Sequence, residues 1–119
     1  MADIEISGST LVVHIRGADM IFALAARLEV PLAHIAGVDV DVPDARDAFH
    51  GLRMGGTNVP GVITAGRFLQ HGEWTFWDVH DPNKAIAIRL HDEGYSRLVV
   101  GVDDPRAAAA TINAALGRG

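Results

Sequence analysis

Alternation of hydrophobic and polar residues predicts that most of this chain forms β-strands. In "STLVVHIRG", the side chains of Leu11, Val13 and Ile15 fall on one side of an extended backbone, which is typical of a half-buried strand. Four later segments predict further strands: "VITAGRFLQ", "EWTFWDVH", "AIAIRLHD" and "SRLVVGV". Short turns at 70–72, 81–84 and 92–95 separate them, which predicts antiparallel hairpins and leaves no room for parallel crossovers.

A sixth strand is predicted in "HIAGVDVDV", where Val38, Val40 and Val42 alternate with exposed aspartates and are expected to face the core. The residues after it, 43–60, predict a long irregular connection.

Helical periodicity appears twice. Asp19 is a candidate N-cap, and hydrophobic residues then recur at helical spacing, so a short helix is predicted over 19–28, with Pro31 forcing Val30 into an extended conformation. A second helix is predicted to follow the cap Asp104. It has Pro105 at its first position, Gly117 at its end and an inward stripe of Ala108, Ile112, Ala115 and Leu116.

These elements predict one α+β, mainly β domain spanning residues 1–119, with six to seven antiparallel strands curled into a strongly bent sheet or partly open barrel. A short N-terminal helix precedes the hairpins, and the C-terminal helix caps the open end.

The pattern in "IRGADMIFALAARLEVPLAHIAGV" (15–38) and across 55–116 resembles the small bacterial pleckstrin-homology-like (PH-like) domains of unknown function. The predicted helix at 19–28 departs from that family, whose helix is C-terminal. The resemblance implies a fold and no catalytic residue. It implies no phosphoinositide site either, because "RGADM" lacks the Lys and Arg cluster with which PH domains bind these lipids.

Charge and composition reduce the number of possible functions. Ten Lys and Arg against fifteen Asp and Glu give a net charge of -5, so nucleic acid is not an expected partner. The absence of cysteine excludes disulfides, thiolate metal sites and thiol catalysis. With no signal peptide or transmembrane segment visible, a soluble, cytoplasmic protein is expected.

The glycine-rich stretch "GLRMGGTNVPGVITAG" (51–66) does not fit a phosphate-binding loop. No lysine follows Gly55 or Gly56, and a strand, not a helix, is predicted after Gly61. The glycines are interpreted as positions where the backbone adopts a positive φ or comes close to another segment, and Gly66 as the site of a bulge or bend.

The six histidines show no metal-ligand spacing, and no cofactor is predicted. Within "DVHD", Asp78 and His80 could hold a metal or orient an imidazole, but a turn capped by the side chain of Asp81 is the favoured interpretation. No serine lies in a Gly-x-Ser-x-Gly elbow, so no catalytic residue is assigned and an enzyme is not the favoured class.

Two candidate surfaces remain. The first is an apolar interaction surface formed by Met20, Phe22, Trp74 and Trp77. It predicts a non-catalytic module that binds a protein partner or a second copy of itself, because exposed aromatic patches are uncommon on monomers. Cover by the chain's own residues is the alternative for the strand aromatics.

The second is an anion or ligand site formed by Arg46, His50 and Arg53, which fall on one face if the segment is helical. Ion pairs with Asp44 and Asp47 are the favoured alternative. The competing function is therefore a small-molecule or anion-binding protein, or a weak hydrolase, that uses the 43–60 connection with these residues and His80.

Overall fold

Strands dominate the computed structural model, which describes residues 2–16, 27–42, 52–59, 63–70, 72–81 and 83–117, with the backbone alone described at 52–59, 63–65 and 70. Its strands are β1 (Ala2–Ser7), β2 (Thr10–Ile15), β3 (Arg27–Pro31), β4 (Ile35–Asp39), β5 (Leu52–Val59), β6 (Ile63–Gln70), β7 (Glu73–Val79), β8 (Ala85–Leu90) and β9 (Arg97–Gly101). A 3-10 helix, Leu32–His34, precedes β4, and an α-helix, α1 (Pro105–Ala115), follows β9. The predicted class, α+β and mainly β, is confirmed.

The described strands form two sheets, and they do not close into a barrel. β1, β2 and β3 make an antiparallel sheet of three strands, while the other six are ordered β4-β8-β9-β7-β6-β5. The predicted count of six to seven strands was too low because β1, β3 and β5 were not recognised. β3 begins inside the segment predicted to be helical, and β5 is glycine-rich.

The parallel pairing of β7 with β9 corrects the predicted series of hairpins. The turns at 70–72 and 92–95 do join antiparallel neighbours, β6 with β7 and β8 with β9. After the turn at 81–84, however, β8 does not pair with β7, because β9 lies between them and runs parallel to β7. The whole of β8 with its two loops serves as the crossover connection, which gives the dozen or more residues that a parallel pair requires.

The predicted helix at 19–28 is corrected at its C-terminal end. Arg27 and Leu28 belong to β3, where they pair with His14 and Val13 of β2, and the rest of the predicted helix lies outside the described residues. Ladder pairing with β2 therefore overrides the helical spacing at these two positions. Val30 is extended and buried within β3, as Pro31 predicted.

The glycine-rich stretch forms part of a β-hairpin, so the prediction that 43–60 is wholly irregular was wrong over 52–59. Met54 pairs with Arg67 and Thr57 with Ala65, which leaves two glycines of β5, 55 and 56, facing Gly66 of β6. Two residues opposite one make a β-bulge. Gly66 has a φ of +123°, a conformation that strongly favours glycine, so the backbone interpretation is confirmed there.

Hydrophobic residues are buried on both faces of the six-stranded sheet. One cluster packs that sheet against the three-stranded sheet and α1, and it includes Leu11, Val13, Phe76, Ile88, Val100 and Ile112. A second cluster lies on the opposite face: Val42, Phe68, Trp77, Val79, Ala85, Ala87 and Val99. The prediction that "EWTFWDV" is apolar on both sides is confirmed, since Phe76 and Trp77 belong to different clusters. Val40, by contrast, is 41% exposed, against the prediction that it faces the core.

Helix α1 packs against β1, β4 and β8. The Asp104 side chain accepts a hydrogen bond from the Ala107 backbone N–H, which confirms the predicted N-cap. Ile112 is fully buried, and Ala108 and Leu116 lie partly buried against the same cluster. One position of the predicted stripe was wrong: residue 115 is exposed and residue 109 is buried in its place.

Trp77→Ala should lower the free energy of unfolding by about 3–5 kcal/mol, because the ring is fully buried and its removal leaves a large cavity in the second cluster. Urea denaturation measures the change. Val40→Ala is the control and should change stability by about 0.5 kcal/mol or less, since that side chain is largely exposed. Equal effects of the two substitutions would contradict the assigned second core.

Candidate functional site

Three of the seven predicted site residues lie among the described residues: Arg53, Trp74 and Trp77. Four lie outside the described residues: Met20, Phe22, Arg46 and His50. Arg53 lies in β5, described by its backbone, and pairs with Phe68 of β6. Trp74 is half-buried, whereas Trp77 is fully buried and offers no surface to a partner. For Trp77 the interaction surface is therefore corrected in favour of cover within the chain.

A pair of arginines that sequence reasoning missed lies on the six-stranded sheet. The antiparallel register of β8 and β9 places Arg89 directly opposite Arg97. Because alternate residues share a face, both lie on the side of the second cluster, at its charged end. The register also places Thr75 of β7 beside Arg97, so one row crosses three strands.

The guanidinium group of Arg89 is held at the sheet edge by two neighbours. Its Nε donates a hydrogen bond of 3.0 Å to Oδ2 of Asp39 in β4. The group also lies over Gly37, where a Cβ would collide with Nη2. Glycine at this position therefore creates the space that the guanidinium occupies, while its terminal amino groups can donate to further acceptors.

The guanidinium group of Arg97 lies over the Trp77 ring, with its central carbon 5.5 Å from the ring centroid. This is the geometry of a cation–π interaction, which favours one position of a flexible side chain. The ring is itself fixed, since its Nε1 donates to the hydroxyl of Thr75 at 3.1 Å, and that hydroxyl donates to the Phe68 carbonyl. The buried and hydrogen-bonded Trp77 ring therefore positions the Arg97 guanidinium group.

A cleft of about 460 Å³, here called the arginine cleft, opens over this row. Its lining residues are Ala36, Glu73, Thr75, Arg89, Leu90, Ser96 and Arg97. Like charges placed directly opposite each other in a sheet repel, and an anion bound between them would relieve that repulsion. Guanidinium groups present planar sets of N–H donors that match carboxylate and phosphate oxygens, so the arrangement is suited to binding either anion.

A second cleft, of about 300 Å³, adjoins the first and is here called the loop cleft. It shares Glu73, Leu90 and Ser96 with the arginine cleft, so the two meet where β8 ends and β7 and β9 begin. The loop between β8 and β9 forms most of its wall and contributes Asp92, Glu93 and Tyr95. Trp74 completes the lining with a second aromatic ring.

Two histidines hold this loop to the 3-10 helix. His34 Nδ1 lies 2.5 Å from Oε2 of Glu93, and the backbone N–H of His91 donates to the His34 carbonyl. The two imidazole rings lie 5.8 Å apart. Next to them, Asp92 has a φ of 58°, and its carboxylate pairs with His91 Nδ1 at 3.0 Å. The hydrogen bond from His91, and then the charge of that ring, lower the pKa of Asp92 below its ordinary value of 3.8.

The "DVHD" segment forms the predicted turn. Oδ1 of Asp81 accepts a hydrogen bond of 2.9 Å from the backbone N–H of Asn83, which confirms the capping interpretation. Asp78 is fully buried on β7. Across the described residues, no group of three or more His, Asp or Glu side chains could hold a metal ion. In the same part of the chain, no helix has the length and hydrophobicity needed to cross a membrane.

Comparison with protein-family models, curated proteins and solved structures gave no match for this chain.

Gly37→Ala should displace the Arg89 guanidinium and break its bond to Asp39 without unfolding the protein, because the added Cβ collides only with the far end of a flexible side chain. The pair is solvent-exposed, so stability should change by no more than about 1 kcal/mol. A shift of the Arg89 Nε–H resonance measures the displacement. Gly94→Ala is the control, because a Cβ there meets open space. An unchanged resonance in Gly37→Ala would refute the packing assigned to Arg89.

Asp92→Asn should remove part of the acid sensitivity of the fold. Since the folded-state pKa of Asp92 lies below its unfolded value of 3.8, the ionised form stabilises the protein above that pH, and this contribution is lost as pH falls through the folded pKa. Urea midpoints should therefore differ between wild type and variant just above pH 4, and should converge as pH falls below about 4 through the folded pKa. In His91→Gln, a carboxyl-carbon NMR titration should show the Asp92 pKa returning toward 3.8.

Proposed function

We propose that this protein is a non-catalytic binding module that holds the carboxylate or phosphate group of a ligand in the arginine cleft. The observation that carries the proposal is the direct opposition of Arg89 and Arg97 within a concave site. Each guanidinium is positioned by its own neighbour, Asp39 for Arg89 and the Trp77 ring for Arg97. Positioned side chains lose less freedom when a ligand binds, which favours affinity.

The contacts of the described polar groups support binding over catalysis. His34 is paired with Glu93 and His91 with Asp92, while the hydroxyl of Ser96 donates to the Trp74 carbonyl. None of these three contacts joins a hydroxyl nucleophile to an imidazole base, which is the arrangement that acyl-transfer chemistry uses.

Anion binding was also predicted from the sequence, but the proposed site uses Arg89 and Arg97 in place of Arg46, His50 and Arg53. Self-association through Met20 and Phe22 stays a prediction, since both lie outside the described residues. Among the described residues, Val40 is the one large hydrophobic side chain that is largely exposed. The PH-like resemblance likewise stays a prediction.

Replacement of either cleft arginine should weaken anion binding. With inorganic phosphate or N-acetyl-triglycine as the probe, at matched ionic strength, Arg89→Met and Arg97→Met should each lower affinity at least about tenfold, because a charge-assisted hydrogen bond is lost while the hydrophobic stem is retained. Amide NMR titration measures the dissociation constant and locates the contact. Arg97→Lys keeps the charge without the planar donor set and should give an intermediate affinity.

Arg106→Met is the matched control, since Arg106 is exposed on α1 and does not line the cleft. Binding should be unchanged in this variant. The proposal fails if Arg106→Met weakens binding as much as the cleft variants do, or if neither probe shifts resonances around the arginine cleft.

A further inference from the structure

The arginine cleft and the loop cleft carry opposite charges, and this contrast bears on what kind of ligand both would accept. Arg89 and Arg97 line the first, while Asp92 and Glu93 line the second. Glu73 and Ser96 line both, so one ligand could extend from the cationic cleft into the anionic one. Among the described residues that line the loop cleft there is no lysine or arginine.

The loop cleft has the composition of a site for an organic cation. Trp74 and Tyr95 supply half-buried aromatic rings, whose faces attract ammonium and guanidinium groups. Tyr95 is fixed by an edge-to-face contact with Phe76, at a centroid distance of 5.8 Å. Within the described part of the chain, Asp92 and Glu93 bind their histidines through one oxygen each, Oδ2 and Oε2, so each carboxylate has a second oxygen to offer.

The backbone spacing between the two clefts indicates the length of a ligand that could extend between them. Arg89 and Asp92 are three residues apart along the chain, which limits the distance between their backbone positions to about 10 Å. An extended tripeptide places its terminal ammonium and carboxylate groups about as far apart, at roughly 3.3 Å per residue. A ligand of this size therefore matches the spacing of the two backbone positions from which the charged side chains extend.

We propose that the ligand is dipolar, a short peptide or peptide-like molecule whose anionic group binds Arg89 and Arg97 while its ammonium or guanidinium group binds the rings and carboxylates of the loop cleft. This inference rests on the proposed function, because it assigns the anionic group to the same arginine cleft. It adds a second recognition element and names the class of ligand.

Three matched probes test the inference: triglycine with both charges, N-acetyl-triglycine with the carboxylate alone, and triglycinamide with the ammonium alone. In amide NMR titrations at constant ionic strength, triglycine should bind at least about fivefold more tightly than either singly charged probe. Its resonance shifts should include residues of both clefts, whereas N-acetyl-triglycine should shift the arginine cleft alone.

Asp92→Asn keeps a residue that tolerates the left-handed backbone at this position and removes its charge. The variant should bind triglycine about as weakly as it binds N-acetyl-triglycine, and its affinity for N-acetyl-triglycine should equal that of the wild type. Asp103→Asn is the matched control, since Asp103 is exposed and lines neither cleft, and it should leave all three affinities unchanged.

The outcomes separate this inference from the proposed function. Equal affinity for triglycine and N-acetyl-triglycine, with no effect of Asp92→Asn, would overturn the dipolar ligand and leave anion binding intact. Binding of triglycinamide alone, or of none of the three probes, would overturn the dipolar ligand, and it would overturn the proposed function as well if inorganic phosphate also fails to bind the arginine cleft.

Discussion

Strand β9 organises the six-stranded sheet, because it pairs with β7 on one side and with β8 on the other. At its centre, Val99 lies between Trp77 and Ala87, and all three are buried. This row forms the dry part of the second cluster, whose hydrophobic burial offsets the entropy of ordering a non-local parallel pair. If β9 did not pair with β7, Trp77 and Val99 would no longer be neighbours in the sheet.

The register that places Trp77, Val99 and Ala87 in one buried row also places the two arginines in a neighbouring row. Two residues away on each strand, on the same face, the row of Trp77, Val99 and Ala87 gives way to the row of Thr75, Arg97 and Arg89. The two rows are physically joined, since the Arg97 guanidinium lies over the Trp77 ring. The arginine cleft therefore lies at the polar end of the second cluster, and the Arg97 side chain is positioned by the packing of that cluster.

How much of this was predictable differs between local and non-local features. The Asp104 cap, the Asp81 turn and the double-sided burial of β7 each depend on residues close together in the chain, and each was predicted. The position of β9, and so the opposition of Arg89 and Arg97, depends on which strands pair, and no local pattern encodes that. The bulge joining β5 to β6 shows the same limit, because the glycines were recognised but their strand was not.

Long-range and short-range charge interactions affect ligand binding in the arginine cleft differently. The net charge of -5 repels a free anion at a distance, although salt screens this repulsion beyond about 8 Å at physiological ionic strength. A dipolar ligand of zero net charge is not repelled by the net charge of the protein, and it interacts with the charged groups of the two clefts only at short range. The arginines are then already positioned by Asp39 and Trp77, so binding need not order them first. In an acidic protein, the pairing of the arginine cleft with the adjoining anionic loop cleft is therefore better matched to a ligand that carries both charges than to a simple anion.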